Sequence, residues 1–204
     1  IEPLAASKVL IRLENETLSI GQRILSQGLQ LTVRGQEKIG IIGSNGVGKS
    51  TLLAKLHQLL SGKREISLGF MPQYYQETLQ LDLSPVEFLS QTGHKEEIQK
   101  IQSHLASLNF SYPEMHHQIH SLSGGQQGKL LLLNLVLRKP NFLLLDEPTR
   151  NFSPTSQPEI RKLFANYSGG LVTVSHDRRF LKKVCTSIYN LTEHGLEVVD
   201  LQDL

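Results

Sequence analysis

The stretch GSNGVGKST, residues 43–51, decides the reading of this chain. It follows an apolar run, KIGIIG at 38–43, and opens into LLAKLHQLL at 52–60. Strand, glycine loop and helix in that order are the setting in which a backbone cradles phosphates. Triphosphate oxygens need many N–H donors at close range, so the loop must lack side chains where it curls. Gly43, Gly46 and Gly48 meet that need, with Ser44 and Asn45 between them. The helix that opens near Gly48 turns its unsatisfied N–H groups and positive dipole end toward an anion. Lys49 supplies a point charge for β- and γ-phosphates, Ser50 a hydroxyl for Mg²⁺, and Thr51 completes the loop.

Outward from the loop, residues 8–14 (KVLIRLE) and 29–34 (LQLTVR) alternate apolar and polar, the period of half-solvated antiparallel strands. A strand is expected over 66–71, ending on Pro72-Gln73. Residues 74–121 then turn rich in Gln, His, Ser and Glu. Helices are predicted there over SPVEFL (84–89) and over 95–108, where Ile98, Ile101, Leu105 and Leu108 form one stripe. Residues 74–138 read as a helical lobe inserted into an α/β body formed by 1–73 and 139–204. The body resumes at NFLLLD (141–146), a buried parallel strand by its continuous apolar character. A helix (157–167), a strand (171–175), a short basic helix (177–184) and a hairpin over 187–200 close the chain. The fold class is α/β: a P-loop NTPase with a mainly parallel sheet flanked by helices, an antiparallel β subdomain and the helical lobe.

Two further motifs carry chemistry. The strand ending at Asp146-Glu147 delivers two carboxylates to the edge where such sheets bind ligands. Asp146 suits Mg²⁺, and Glu147 suits a general base acting on water. Leu122-Ser123-Gly124-Gly125-Gln126 precedes another helix, 127–138, with Ser123 as its N-cap and two glycines baring backbone N–H groups. Two phosphate-binding termini in one chain suggest two chains sharing nucleotides.

Together these motifs resemble the ATP-binding cassette (ABC) ATPase domain over almost the whole chain. The loop GSNGVGKS, Gln73 in GFMPQ, the signature LSGGQ at 122–126, FLLLDE at 142–147 and His176 in VSHD stand in that family's order. The resemblance implies ATP and Mg²⁺ as cofactors. It implies that Gln73 contacts Mg²⁺ and water and couples to the helical lobe, and that His176 hydrogen-bonds the γ-phosphate. It also implies that Ser123, Gly124, Gly125 and Gln126 bind the γ-phosphate of a nucleotide held by a second cassette. A single cassette is therefore expected to be a monomer that binds ATP weakly and hydrolyses it faster as concentration rises. Within the family the chain is most similar to one cassette, the C-terminal one, of the ABC-F group of ribosome-associated proteins. That similarity rests on a short segment before Gln73, the run YYQETLQLDLSPVEFL, and VSHDRRFL. It implies ribosome or rRNA contacts. The alternatives are the ATPase subunit of a transporter, partnered by transmembrane subunits, and a nucleotide-gated switch whose turnover is incidental. Two positions depart from the pattern. Ile20 stands where an aromatic stacks on adenine, and Ser153 stands where the loop after the acidic pair carries Asp.

Composition narrows the rest. Hydrophobic residues make up 39% and charged residues 20%, as in globular chains. A net charge of +2 is too mild to argue for nucleic acid by itself. No apolar run reaches the ~18–20 residues a membrane span needs, so no direct membrane insertion is expected. One cysteine, Cys185, excludes an internal disulfide and fits a reducing cytoplasm. It reads as a buried small hydrophobe. The opening Ile1 suggests a piece of a longer protein. His116, His117 and His120 read as a solvated helix face, with 116 and 120 aligned, and no metal site. Arg178, Arg179, Lys182 and Lys183 cluster on the short basic helix, within reach of rRNA phosphates or of solvent alone.

Overall fold

A computed structural model describes residues 3–204, without the side chain of residue 77. In chain order its strands are β1 (Val9–Ile20), β2 (Arg23–Arg34), β3 (Lys38–Ile42), β4 (Leu68–Met71), β5 (Phe142–Asp146), β6 (Gly170–Val174), β7 (Ser187–Thr192) and β8 (Gly195–Val199). Its α-helices are α1 (Lys49–Ser61), α2 (Pro85–Leu89), α3 (Lys95–Ser107), α4 (Tyr112–His116), α5 (Gly124–Arg138), α6 (Gln157–Ala165) and α7 (Arg178–Val184). These group into two units. One comprises Ile1–Gln73, Pro140–Arg150 and Pro154–Leu204, the other Tyr74–Lys139 and Asn151–Ser153.

The first unit is built on a six-stranded sheet in the order β4-β5-β6-β3-β7-β8. Its first five strands are parallel and β8 returns antiparallel. β5 and β6 are buried at every residue, as central strands covered on both faces must be. Asn141 ties β4 to β5 before the ladder begins: its Nδ2 donates to the Glu65 carbonyl at 3.0 Å and its Oδ1 accepts from the Ser67 N–H at 2.8 Å. Helix α1 buries Leu52, Leu53, Leu56 and Leu60, one face at helical spacing. Each leucine contributes about 1.5–3 kcal/mol of burial. That face joins the sheet residues Ile39, Ile41, Leu144, Val172 and Val174 in one apolar cluster.

β1 and β2 form a separate antiparallel pair. They extend well past the expected 8–14 and 29–34 and meet at a turn over Gly21-Gln22. The alternation breaks at Asn15, whose φ of 52° and adjacent register shift mark a bulge. The buried side chains pass from Leu13 to Leu18, so the period-two signal changes phase inside one strand. The strand expected at 66–71 starts later, at Leu68, because Ile66 N–H closes a turn onto the Lys63 carbonyl at 3.0 Å.

The second unit is helical. Each of α2, α4 and α5 opens with a reciprocal cap, Ser84 with Glu87, Ser111 with Glu114 and Ser123 with Gln126, each satisfying two orphan N–H groups. α5 therefore begins at Gly124, three residues before the expected 127, and buries Leu130, Leu131, Leu132, Leu133 and Leu135. Phe152 is buried in this unit, where its ring leaves a Cβ on Gly128 only 2.9 Å of room. His116 and His120 do not share a helix face. Pro113 carbonyl accepts the His117 N–H as α4 ends, and His120 lies in a separate 3₁₀ turn. His116 Nε2 meets Gln102 Nε2 at 3.1 Å.

Candidate nucleotide site

The parallel register brings several loops to one edge of the sheet. The glycine loop leaves β3, Pro72-Gln73 leaves β4, Asp146-Glu147 ends β5 and Ser175-His176 leaves β6. Carboxyl ends of parallel strands are where open α/β sheets bind ligands. A cleft of about 690 Å³ lies here, lined among others by Ile20, Asn45, Gly46, Gly48, Lys49, Ser50, Thr51, Gln73, Asp146, Glu147 and His176. That volume suits a nucleotide-sized ligand.

The loop itself is shaped by backbone that only glycine tolerates. Gly46 has φ 80° and open space where a Cβ would stand. Gly48, the N-cap of α1, has φ 110°, and a Cβ there would press Leu18 and Leu25 at 3.0 Å. α1 has no side-chain cap and no acidic residue in its first turn, unlike the capped helices of the other unit. Its first N–H groups thus remain available to an anion. Lys49 is only 8% exposed. Its Nζ donates to the Gly43 and Ser44 carbonyls at 2.8 and 2.9 Å. Burial lowers its pKa, while Glu147 and then Asp146 pull it back up.

Glu147 holds φ 50°, a left-handed conformation uncommon outside glycine. Two backbone bonds fix it: its N–H donates to the Val174 carbonyl at 2.8 Å, and its carbonyl accepts the Arg150 N–H at 3.0 Å. The turn aims its carboxylate at His176, whose N–H donates to Oε2 at 3.3 Å and whose Nε2 lies 3.5 Å from Oε1. The Glu147 side chain is 12% exposed and that of His176 57%. Burial raises the Glu147 pKa, opposed by the His176 N–H and ring and by Lys49, and reinforced by Asp146. A carboxylate biased toward the protonated form and hydrogen-bonded beside a cleft is equipped to take a proton from water.

The donor set fits Mg²⁺ bound with a triphosphate. Asp146 is one buried carboxylate and Ser50 one hydroxyl at the start of α1. Mg²⁺ keeps several waters and takes one or two carboxylates plus phosphate oxygens, so it needs no full protein cage. Among the described residues no group of three His, Cys, Asp or Glu forms a metal cluster.

Ile20 is 60% exposed and, with Leu25, gives the cleft an aliphatic corner. Ser123, Gly124, Gly125 and Gln126 belong to the other unit and are not among the lining residues. There the Ser123 hydroxyl accepts from the Gln126 N–H at 3.3 Å, and Gln126 Nε2 donates to Glu114 Oε1 at 2.6 Å. Ser153 also lies in that unit. Sequence reading missed Leu25, Thr149, Arg150, Gln157 and Asp177 as lining residues. Thr149 and Arg150 carried a signal, since only Pro148 separates them from Asp146-Glu147; Leu25 and Gln157 carried none.

The model of the family described as ABC transporter matches residues 26–150. "Probable ATP-binding protein YheS" of Escherichia coli K12 is 31% identical over 205 residues, covering 97% of this chain and 32% of that protein. "Ribosome protection protein VmlR" of Bacillus subtilis is 30% identical over 196 residues, covering 93% and 36%. "ABC transporter F family member 2" of Arabidopsis thaliana is 28% identical over 199 residues, covering 94% and 29%. The chain thus spans about a third of the length of these curated relatives. Among solved structures, a dimeric post-hydrolysis state of the ATP-binding cassette MJ0796 with ADP and Pi has a TM-score of 0.76 at 20% identity, over 93% of this chain and 98% of that one. That likeness establishes the fold.

Proposed function

We propose a role from one premise: the chain belongs to the ABC transporter family and is an ATPase cassette that binds ATP with Mg²⁺. It acts as one half of a nucleotide-driven dimerisation switch within a longer, ribosome-associated protein of the ABC-F kind. The observation that carries this reading is the convergence of Lys49, Ser50, Asp146, Glu147 and His176 on one cleft.

In this reading Lys49 exchanges its two loop carbonyls for phosphate oxygens, while the N–H groups of 43–51 and of the α1 start hold the remaining charge. Ser50, Asp146 and Gln73 hold the metal, which when bound neutralises phosphate charge. Glu147 accepts the proton of the attacking water, and His176 keeps that carboxylate oriented. Ile20 and Leu25 offer the base an apolar surface in place of a stacking ring. Ser123, Gly124, Gly125 and Gln126 serve the nucleotide of a second cassette. The single chain and its helical unit work as one cassette.

The ribosomal part draws support from the VmlR relative and from α7. Arg178, Arg179, Lys182 and Lys183 are its exposed residues, while Phe180, Leu181 and Val184 are buried. A face of four cations with no acid on it suits RNA phosphates. Among the described residues no helix is long and apolar enough to cross a membrane; a transporter subunit would instead dock on separate membrane partners. The test uses the full-length protein with Glu147→Gln, loaded with ATP and sedimented with ribosomes. Retention that depends on ATP supports the reading. Equal sedimentation without nucleotide, or none with it, refutes the ribosomal part.

A further inference from the structure

Arg150 stands apart from the residues already given roles. It lines the same cleft as Lys49, Glu147 and His176 and is exposed. It forms no ion pair among the described residues. Its backbone is not free to wander: its N–H donates to the Glu147 carbonyl at 3.0 Å. Thr149 beside it is 3% exposed, and the Thr149 carbonyl accepts from Gln157 Nε2 at 3.4 Å. The guanidinium therefore projects from a pinned turn, three residues beyond Glu147.

The charge of the cleft gives this placement meaning. Its lining carries three carboxylates, Asp146, Glu147 and Asp177, against two permanent cations, Lys49 and Arg150. Lys49 is drawn electrostatically to Glu147 and Asp146. An anionic ligand entering such a site needs a further cation at the Glu147 end, and Arg150 lines the cleft on the turn that follows Glu147, exposed and in no ion pair among the described residues. A guanidinium also presents paired N–H groups that match two phosphate oxygens at once, which an ammonium cannot.

We infer that Arg150 is a second phosphate-binding cation, contacting the terminal phosphate and so distinguishing nucleoside triphosphate from diphosphate. Lys49 grips the phosphate chain at the loop, and Arg150 reads whether the last phosphate is present. The inference rests on the nucleotide reading of the cleft, and the controls separate the two.

The test is equilibrium binding of Mg·ATP and Mg·ADP, measured by calorimetry on the chain and on Arg150→Ala, Arg150→Lys and Lys49→Ala, with melting temperature as the folding control. Arg150→Ala should bind Mg·ATP about tenfold more weakly and Mg·ADP within about twofold of the original chain. Arg150→Lys should recover part of the lost Mg·ATP affinity as a point charge. Because the side chain is exposed, both variants should melt with the parent. Unchanged Mg·ATP affinity in Arg150→Ala would overturn the inference while leaving the site intact, provided Lys49→Ala still loses binding. Equal losses for both nucleotides would overturn it too, since Arg150 would then not read the terminal phosphate. If the parent chain and Lys49→Ala both fail to bind either nucleotide, the nucleotide reading falls and the inference with it.

Discussion

Lys49→Ala tests the loop in both its states. In the free protein the ammonium satisfies two carbonyls, those of Gly43 and Ser44, at 2.8 and 2.9 Å. A hydrogen bond to a charged donor contributes roughly 1.5–3 kcal/mol, but Ser44 is exposed and water replaces part of that loss. Removing the side chain also removes the cost of burying a charge, the cause of its lowered pKa. The net destabilisation is about 1–2 kcal/mol, a fall in melting temperature of about 2–8 °C for a chain of this size. The fold should persist, because Leu52, Leu53, Leu56 and Leu60 still anchor α1. With nucleotide bound, two charge-assisted bonds to phosphate disappear, about 3–6 kcal/mol, against roughly half of that spent in releasing the carbonyls. Mg·ATP affinity should therefore fall by about 10²-fold. Calorimetry and a thermal melt on the same preparation read both effects. A folded Lys49→Ala protein with unchanged Mg·ATP affinity would refute the assignment of the loop.

Glu147→Gln in the full-length protein should cut hydrolysis by about 10²–10⁴-fold while ATP binding persists; burial raises the Glu147 pKa, and a base works deprotonated, so kcat/KM should rise with pH through an acid limb that the variant lacks. Near-normal turnover in the variant, or an acid limb that survives in it unchanged, contradicts that role. Cys185 is buried and burial pushes its thiol up to about 12, so a thiol reagent at pH 8 should label it only as the protein unfolds; stoichiometric labelling of native protein within minutes would show the packing to be wrong. Glu97 accepts from the N–H groups of Gln91, Thr92 and Gly93 and the hydroxyls of Ser90 and Thr92, which lowers its pKa from 4.5 to about 2. Its stabilisation is present above the unfolded value and is lost as pH falls through about 2. Glu97→Gln should lower the melting temperature at pH 7 and flatten its fall over that acid window, and an unchanged pH profile would remove Glu97 as the organiser of the loop.

Much of the site was legible because its chemistry dictates residue types at fixed spacings. A loop that must curl around phosphates needs Gly46 and Gly48, and the left-handed φ at both shows why no other residue serves. β5 was legible because full burial leaves the unbroken apolar run Phe142–Leu145, whereas β6 is equally buried with Thr173 interrupting its run. The long hairpin was not, since the bulge at Asn15 inverts the alternation within β1. The burial of Lys49 was also hidden: its bonds run to carbonyls five and six residues back, and no side-chain pattern reports a backbone acceptor. The turn at Glu147 was not legible, since no sequence rule assigns its positive φ to glutamate, and Gln157 lines the cleft from the start of α6 with no motif to mark it. The His116–His120 alignment failed because the chain leaves α4 at His117, so four residues no longer span one helical turn.

The claim most in need of measurement is that one cassette holds only half of a working site. The quantity to record is ATPase rate per chain against chain concentration, with sedimentation of the same samples. A rate that is slow when dilute and climbs with concentration, accompanied by an ATP-dependent dimer, is the predicted result. A fast rate that stays flat from nanomolar to tens of micromolar, from chains that remain monomers throughout, would contradict it.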